Sequence, residues 1–165
     1  MRSRAWTRGA CASIIAFASA ALALAGPIEG RFRLVEQRYE RGDANLASQD
    51  LPVRVEFHRE GGVLAGWIWA GDREEGALPW PAFAGDAGPV PVEGVEVRDD
   101  AAAGEVSARY RVGPAPGDDL VLEIVETYRL VESGGALEGT MTVRFTGGAT
   151  NRGGFTLHRR FERER

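Results

Sequence analysis

Thiols are nearly absent from this chain: it has one cysteine, Cys11, and the 154 residues that follow contain none. Disulfides, thiolate metal sites, cysteine nucleophiles and redox motifs are thereby excluded from everything downstream of the N-terminal segment. Lysine is missing altogether, so every basic side chain is an arginine, and no function is read into that bias. Histidine is scarce. His58 and His158 both fall on the expected solvent phase of their segments, and two histidines without cysteines make a poor structural zinc set. The serines beyond the N-terminal segment, Ser48, Ser107 and Ser133, lie in no nucleophile-elbow context. The acidic doublets Asp99-Asp100 and Asp118-Asp119 sit beside turn residues, where aspartate is ordinarily a turn former. No enzyme, cofactor or metal is expected from this inventory.

Long apolar runs are lacking too, except at the start. "MRSRAWTRGACASIIAFASAALALAG" places Arg2, Arg4 and Arg8 before an alanine-rich apolar stretch, and Ala23-Leu24-Ala25 precedes Gly26. That is the pattern of a secretory signal over residues 1–25, leaving one domain, 26–165, exported to the periplasm or beyond with no membrane span of its own. Losing three arginines with the signal takes the formal charge from -4 to -7. An acidic domain without a basic stripe is a poor partner for nucleic acid or an anionic membrane.

What the remaining chain has is alternation with a period of two, and no window of helical length carries an apolar stripe with caps. "LVLEIVETYRLVE", "SGG" and "ALEGTMTVRFT" read as a hairpin, as do "LPVRVEFH" with "VLAGWIWAG", and "VEGVEVRD" with "EVSARYRV". With "IEGRFRLVEQRY" at one end and "GFTLHRRFER" at the other, these predict about eight strands in an antiparallel meander, an all-β fold closed into a barrel, with a β-sandwich as the alternative. Residues 71–91, rich in proline and glycine, read as a surface loop or lid.

Two charged residues fall in the apolar phase of their strands. Arg159 shares a face with Phe155, Leu157 and Phe161, and Glu126 shares one with Leu122, Ile124, Tyr128 and Leu130. Gly30-Arg31-Phe32 resembles the glycine-x-tryptophan of the lipocalin and wider calycin barrels, with phenylalanine in place of tryptophan. Arg159 resembles the basic residue of those barrels' last strand that packs across the aromatic ring. The resemblance implies a cup that binds a small apolar or amphipathic molecule, with Arg159 either lying over Phe32, paired with Glu36 or Glu126, or facing the cavity as a ligand contact. Trp67 and Trp69, two apart on one strand, are core or pocket lining.

The expectation is therefore an exported, non-enzymatic barrel whose ligand-binding residues are Trp67, Trp69, Glu126, Tyr128 and Arg159. The alternative is an adhesion, assembly or inhibitor module that works through its loops and surface over a filled core.

Overall fold

The computed structural model describes residues 27–41, 53–69, 76–85, 88–114, 119–147 and 153–165. The predicted signal over 1–25 lies outside them. The first strands are β1 (Gly30–Arg41), β2 (Arg54–Glu60), β3 (Val63–Trp69) and β4 (Leu78–Pro79), followed by the short pair β5 (Phe83–Gly85) and β6 (Gly88–Val90). Then come β7 (Val92–Asp100), β8 (Glu105–Val112), β9 (Val121–Val131), β10 (Ala136–Thr146) and β11 (Gly154–Arg163). Nine of them form one antiparallel sheet in the order β4-β3-β2-β1-β11-β10-β9-β8-β7, while β5 and β6 pair separately. The fold is all-β, a meander curled into a half-barrel in which the first strand pairs with the last.

All three expected hairpins form. Gly61 and Gly62, both at positive φ, make the two-residue turn between β2 and β3, a conformation in which a side chain would clash with its own backbone. Between β9 and β10 the left-handed residues are Glu132, Ser133 and Gly134, so the tight turn starts one residue before the Ser-Gly-Gly expected.

Strand β1 departs from strict alternation. Leu34 pairs with Phe161 and Glu36 with Arg160, which leaves Val35 as an extra residue in a bulge. Phe32 is buried before it, and Gln37 and Tyr39 turn inward after it, so Glu36 faces out and is not available to Arg159. The apolar phase of "RFRLVEQRY" does change across Val35, from Phe32 and Leu34 to Tyr39, and that change is the trace of the bulge in the sequence.

One end of the half-barrel is closed by Ile28, Phe32, Val55, Phe57, Leu137 and Phe161, all fully buried. The residue over Phe32 is Arg163, not Arg159. Arg163 stands opposite Phe32 in the β1–β11 ladder, its guanidinium lies 4.7 Å from the ring centroid, and its Nε donates to the Gly134 carbonyl at 2.7 Å. Four residues is two strand periods, so Arg159 and Arg163 share a face, but only the second reaches the end of the strand where Phe32 lies.

The two flanks of the sheet are joined by side chains. Arg59 of β2 donates two hydrogen bonds to Asp99 of β7, at 2.5 and 2.7 Å, and Glu29 lies 3.7 Å from the same guanidinium. A bidentate arginine–carboxylate pair fixes orientation as well as distance.

The Arg163 contact is testable by urea unfolding. Arg163→Ala is expected to lower stability by about 1 kcal/mol, through loss of the ring contact and the carbonyl hydrogen bond. An unchanged midpoint would show that the closed end does not depend on it.

Candidate functional site

Inward residues of neighbouring strands fall in rows across the sheet. Gln37 of β1, Arg159 of β11, Gly139 of β10 and Tyr128 of β9 make one row, and Leu157, Met141, Glu126 and Ala108 make the next. Glycine in the middle of the first row has a consequence. A Cβ there would lie 3.1 Å from the Tyr128 ring, so its absence lets Arg159 and Tyr128 meet across the intervening strand. Arg159 Nη2 donates to the Tyr128 hydroxyl at 3.1 Å, and the guanidinium lies 5.3 Å from the Tyr128 ring and 5.8 Å from that of Phe161.

Glu126 sits beside this pair and is equally buried, both residues being only 3% exposed. It is inward and held. Oε2 accepts from the indole N–H of Trp80 at 2.8 Å and Oε1 from the Tyr110 hydroxyl at 3.1 Å. The closest guanidinium nitrogen of Arg159 is 3.9 Å from Oε1, an ion pair without a hydrogen bond. Both oxygens of Glu126 are therefore satisfied by neutral donors.

Arg159 is in the opposite condition. Its side chain has no exposure, yet among the described residues Nε and Nη1 have no hydrogen-bond partner, and across the ladder the buried Oε1 of Gln37 has none either. Buried polar atoms in folded proteins are nearly always paired, so three of them unpaired on two facing residues concentrate the unmet hydrogen-bonding capacity of the inner face.

Trp80 enters from the connection between β4 and β5, which the sequence reading placed on the surface. Its indole is buried against Phe57, with ring centroids 5.2 Å apart, and against Tyr128 at 6.1 Å, while its backbone N–H bonds to the Gly66 carbonyl. Gly66 makes room, since a Cβ there would stand 2.9 Å from Phe57 and 3.1 Å from Trp80.

Beyond the polar row, toward the loops that leave β1, β8 and β10, the inner face turns apolar and half-buried. Tyr39 packs edge-on against Phe155 at 6.3 Å, Phe145 packs on Phe155 at 6.1 Å, and Leu122 and Phe83 flank the core there. This is the end of the half-barrel away from Phe32.

Of the residues expected at a site, Glu126, Tyr128 and Arg159 come together, and Trp67 and Trp69 do not join them. Gly66 and Ile68 take the inward positions of β3, so both tryptophans lie on the outer face. Trp69 is buried there to 6% exposure beneath the guanidinium groups of Arg31 and Arg54, at 5.4 and 6.0 Å, and Trp67 remains 38% exposed. His158 is outward as expected and pairs with Glu40 at 2.9 Å. Asp100 accepts from the Ala103 N–H, the turn role anticipated for it.

Comparison of the chain with protein-family models, curated proteins and solved structures finds no match, so the chemistry of this cluster carries the functional argument.

Burial raises the ionisation of both Tyr110 and Tyr128 far above the ordinary 10.0, with the nearby Glu126 adding to the rise and Arg159 opposing it; desolvation also raises Tyr39. A folded-state pKa above the unfolded value favours the folded state below the unfolded pKa, and that advantage disappears as pH climbs past about 10. An ultraviolet titration should therefore show little tyrosinate from Tyr110 and Tyr128 until alkaline unfolding releases them together, with the half-buried Tyr39 the first of the three to ionise. Independent titration of two or more tyrosines near pH 10 would contradict the burial of Tyr110 and Tyr128.

The two halves of the ion pair should respond unequally to substitution. Glu126→Leu strands a buried guanidinium and removes the acceptor of Trp80 and Tyr110, an expected loss of about 3–5 kcal/mol. Arg159→Met leaves Glu126 with both its donors but without its counter-charge, so its expected cost is smaller, about 2–3 kcal/mol. Urea unfolding of both variants and the double variant measures the difference. Equal losses would mean that Glu126 depends on Arg159 after all.

Proposed function

We propose that this chain is an exported, non-enzymatic binding protein of lipocalin-like type that holds one small amphipathic molecule on the inner face of its half-barrel, between Arg159 and the Tyr39, Phe155 and Phe145 rings. Arg159 and Glu126, with Tyr128, set the polar end of the site, and Tyr39, Phe145, Phe155 and Leu122 supply the apolar surface. The observation that carries this reading is the orphaned Nε and Nη1 of Arg159, fully buried on the concave side of a curled sheet. A guanidinium used only for structure is normally wrapped in acceptors, because leaving its donors unmet costs free energy. Export rests on the arginine-led apolar segment and the Ala23-Leu24-Ala25 sequence. Gly30-x-Phe32 with an arginine of the last strand over the ring supports the lipocalin-like type, the arginine being Arg163.

One observation favours the surface-acting alternative: the Trp80 indole fills the middle of the half-barrel. On that reading the loops and the outer face act, and the core is inert. The outer face does carry a groove of about 260 Å³ lined by the charged residues Glu36, Arg38, Glu138, His158 and Arg160 together with Gly139, Thr140 and Arg159, the side chain of Arg159 being itself fully buried. Its charges largely answer one another, Arg160 with Glu132 and Glu138 and His158 with Glu40, so it offers little unmet chemistry.

Native mass spectrometry of protein secreted by an expression host separates the two. The binding reading expects an added mass that survives desalting on the wild type and is lost from Arg159→Met, whose circular dichroism stays that of the wild type. Wild-type protein that carries nothing, and that takes up none of a set of twelve-carbon amphiphiles, would overturn it.

A further inference from the structure

The head group of the bound molecule can be named by class, an inference that rests on the binding reading above. Arg159 has donors to give on two different edges of its guanidinium, Nε and Nη1, and no acceptor for them. Its charge is nevertheless already answered: Glu126, whose two oxygens accept from Trp80 and Tyr110 in the manner of a carboxylate, lies 3.9 Å away and is as deeply buried. The buried pair is thus neutral as a whole. What Arg159 lacks is hydrogen-bond acceptors, not a counter-charge. A ligand anion placed on Nε and Nη1 would give this interior a net negative charge within reach of Glu126, and uncompensated buried charge is costly.

Across the ladder, Gln37 Oε1 is buried and wants a donor, with Gln37 Nε2 turned toward the Tyr39 hydroxyl at 3.4 Å. Among the described residues, Tyr39, Tyr110 and Tyr128 are the other titratable groups hydrogen-bonded to Gln37, Glu126 or Arg159, and desolvation raises all three above the ordinary phenol value. The set therefore asks for a group that is uncharged and can accept from an arginine while donating to an amide oxygen. A hydroxyl or a primary amide does both, a ketone only the first, and a carboxylate or ammonium neither without bringing a charge. We infer that the site selects an amphipathic molecule with an uncharged donor–acceptor head, an alcohol or amide, over the carboxylate of the same chain length.

Isothermal titration of the full chain with dodecanol, dodecanamide, 2-tetradecanone and dodecanoate, each below its aggregation limit, tests this. The alcohol and amide are expected to bind at least about tenfold more tightly than dodecanoate, the cost of an unbalanced charge even where it is partly solvated. Dodecanoate binding as tightly as dodecanol, or more tightly, overturns the inference while leaving the binding reading intact. If none of the four binds, the binding reading itself fails. Two variants locate the effect. Glu126→Gln makes the site net positive and should shift the preference toward dodecanoate; an unchanged ranking in a folded variant counts against the inference. Should that variant fail to fold, Gln37→Leu remains: it should weaken dodecanol by about fivefold, the worth of one hydrogen bond, and leave the ketone unchanged. Equal effects on both would remove the donor half of the proposal.

Discussion

The interior of this protein is organised around one buried carboxylate. Glu126 is where three otherwise separate pieces of chain meet: Trp80 from the β4–β5 connection, Tyr110 from β8 and Arg159 from β11 all come within hydrogen-bond or ion-pair distance of it. Without that acceptor the indole N–H and the Tyr110 hydroxyl would be buried donors without partners, and Arg159 an unbalanced charge. The carboxylate thus closes side chain to side chain what the sheet leaves open, since the outermost strands in the order are β4 and β7 and the flanks meet through Trp80 on Glu126 and Arg59 on Asp99. An antiparallel half-barrel of this size has a long free boundary, and polar contacts with fixed geometry hold its curl in one place.

Apolar burial alone would not define that place. The core residues Phe57, Trp80, Tyr128 and Phe161 form a continuous chain of edge-on and tilted rings, with centroids 5.2 to 5.9 Å apart between successive partners along Trp80–Phe57–Tyr128–Phe161. Such contacts tolerate sliding, whereas a hydrogen bond from an indole to one carboxylate oxygen does not. Glycine supplies the remaining precision: Gly66 admits Trp80, and Gly139 admits the contact between Arg159 and Tyr128.

Much of this was legible in the sequence, for reasons that the structure makes plain. Period-two alternation survives in β2, β8, β9, β10 and β11 because each has one face against the core and one toward solvent, so both inward charges, Glu126 and Arg159, could be found as breaks in an apolar phase. Alternation says which face, however, and not which neighbour. The pairing of Arg159 with Phe32 failed on register, and that of Arg159 with Glu36 failed on a bulge that shifts the phase of β1 by one residue. Trp67 and Trp69 misled because an arginine pair can bury a tryptophan on the outside of a sheet as well as a core can on the inside. Trp80 left no usable trace, since an aromatic between prolines reads as loop whether it points out or in.

Arg159 and Arg163 show why residue type and phase do not suffice to assign a role. They stand on the same strand and the same face, each over an aromatic ring. At the closed end the guanidinium of Arg163 reaches a backbone carbonyl and solvent, and its donors have somewhere to go. One row from the centre Arg159 is cut off from both, and the nearest carboxylate has already accepted from two other groups. The cost of burying Arg159 in that condition falls on the unoccupied protein, and a molecule that brought acceptors would relieve it on binding. It is this asymmetry between two chemically identical side chains, rather than the shape of the sheet, that directs the functional reading to Arg159.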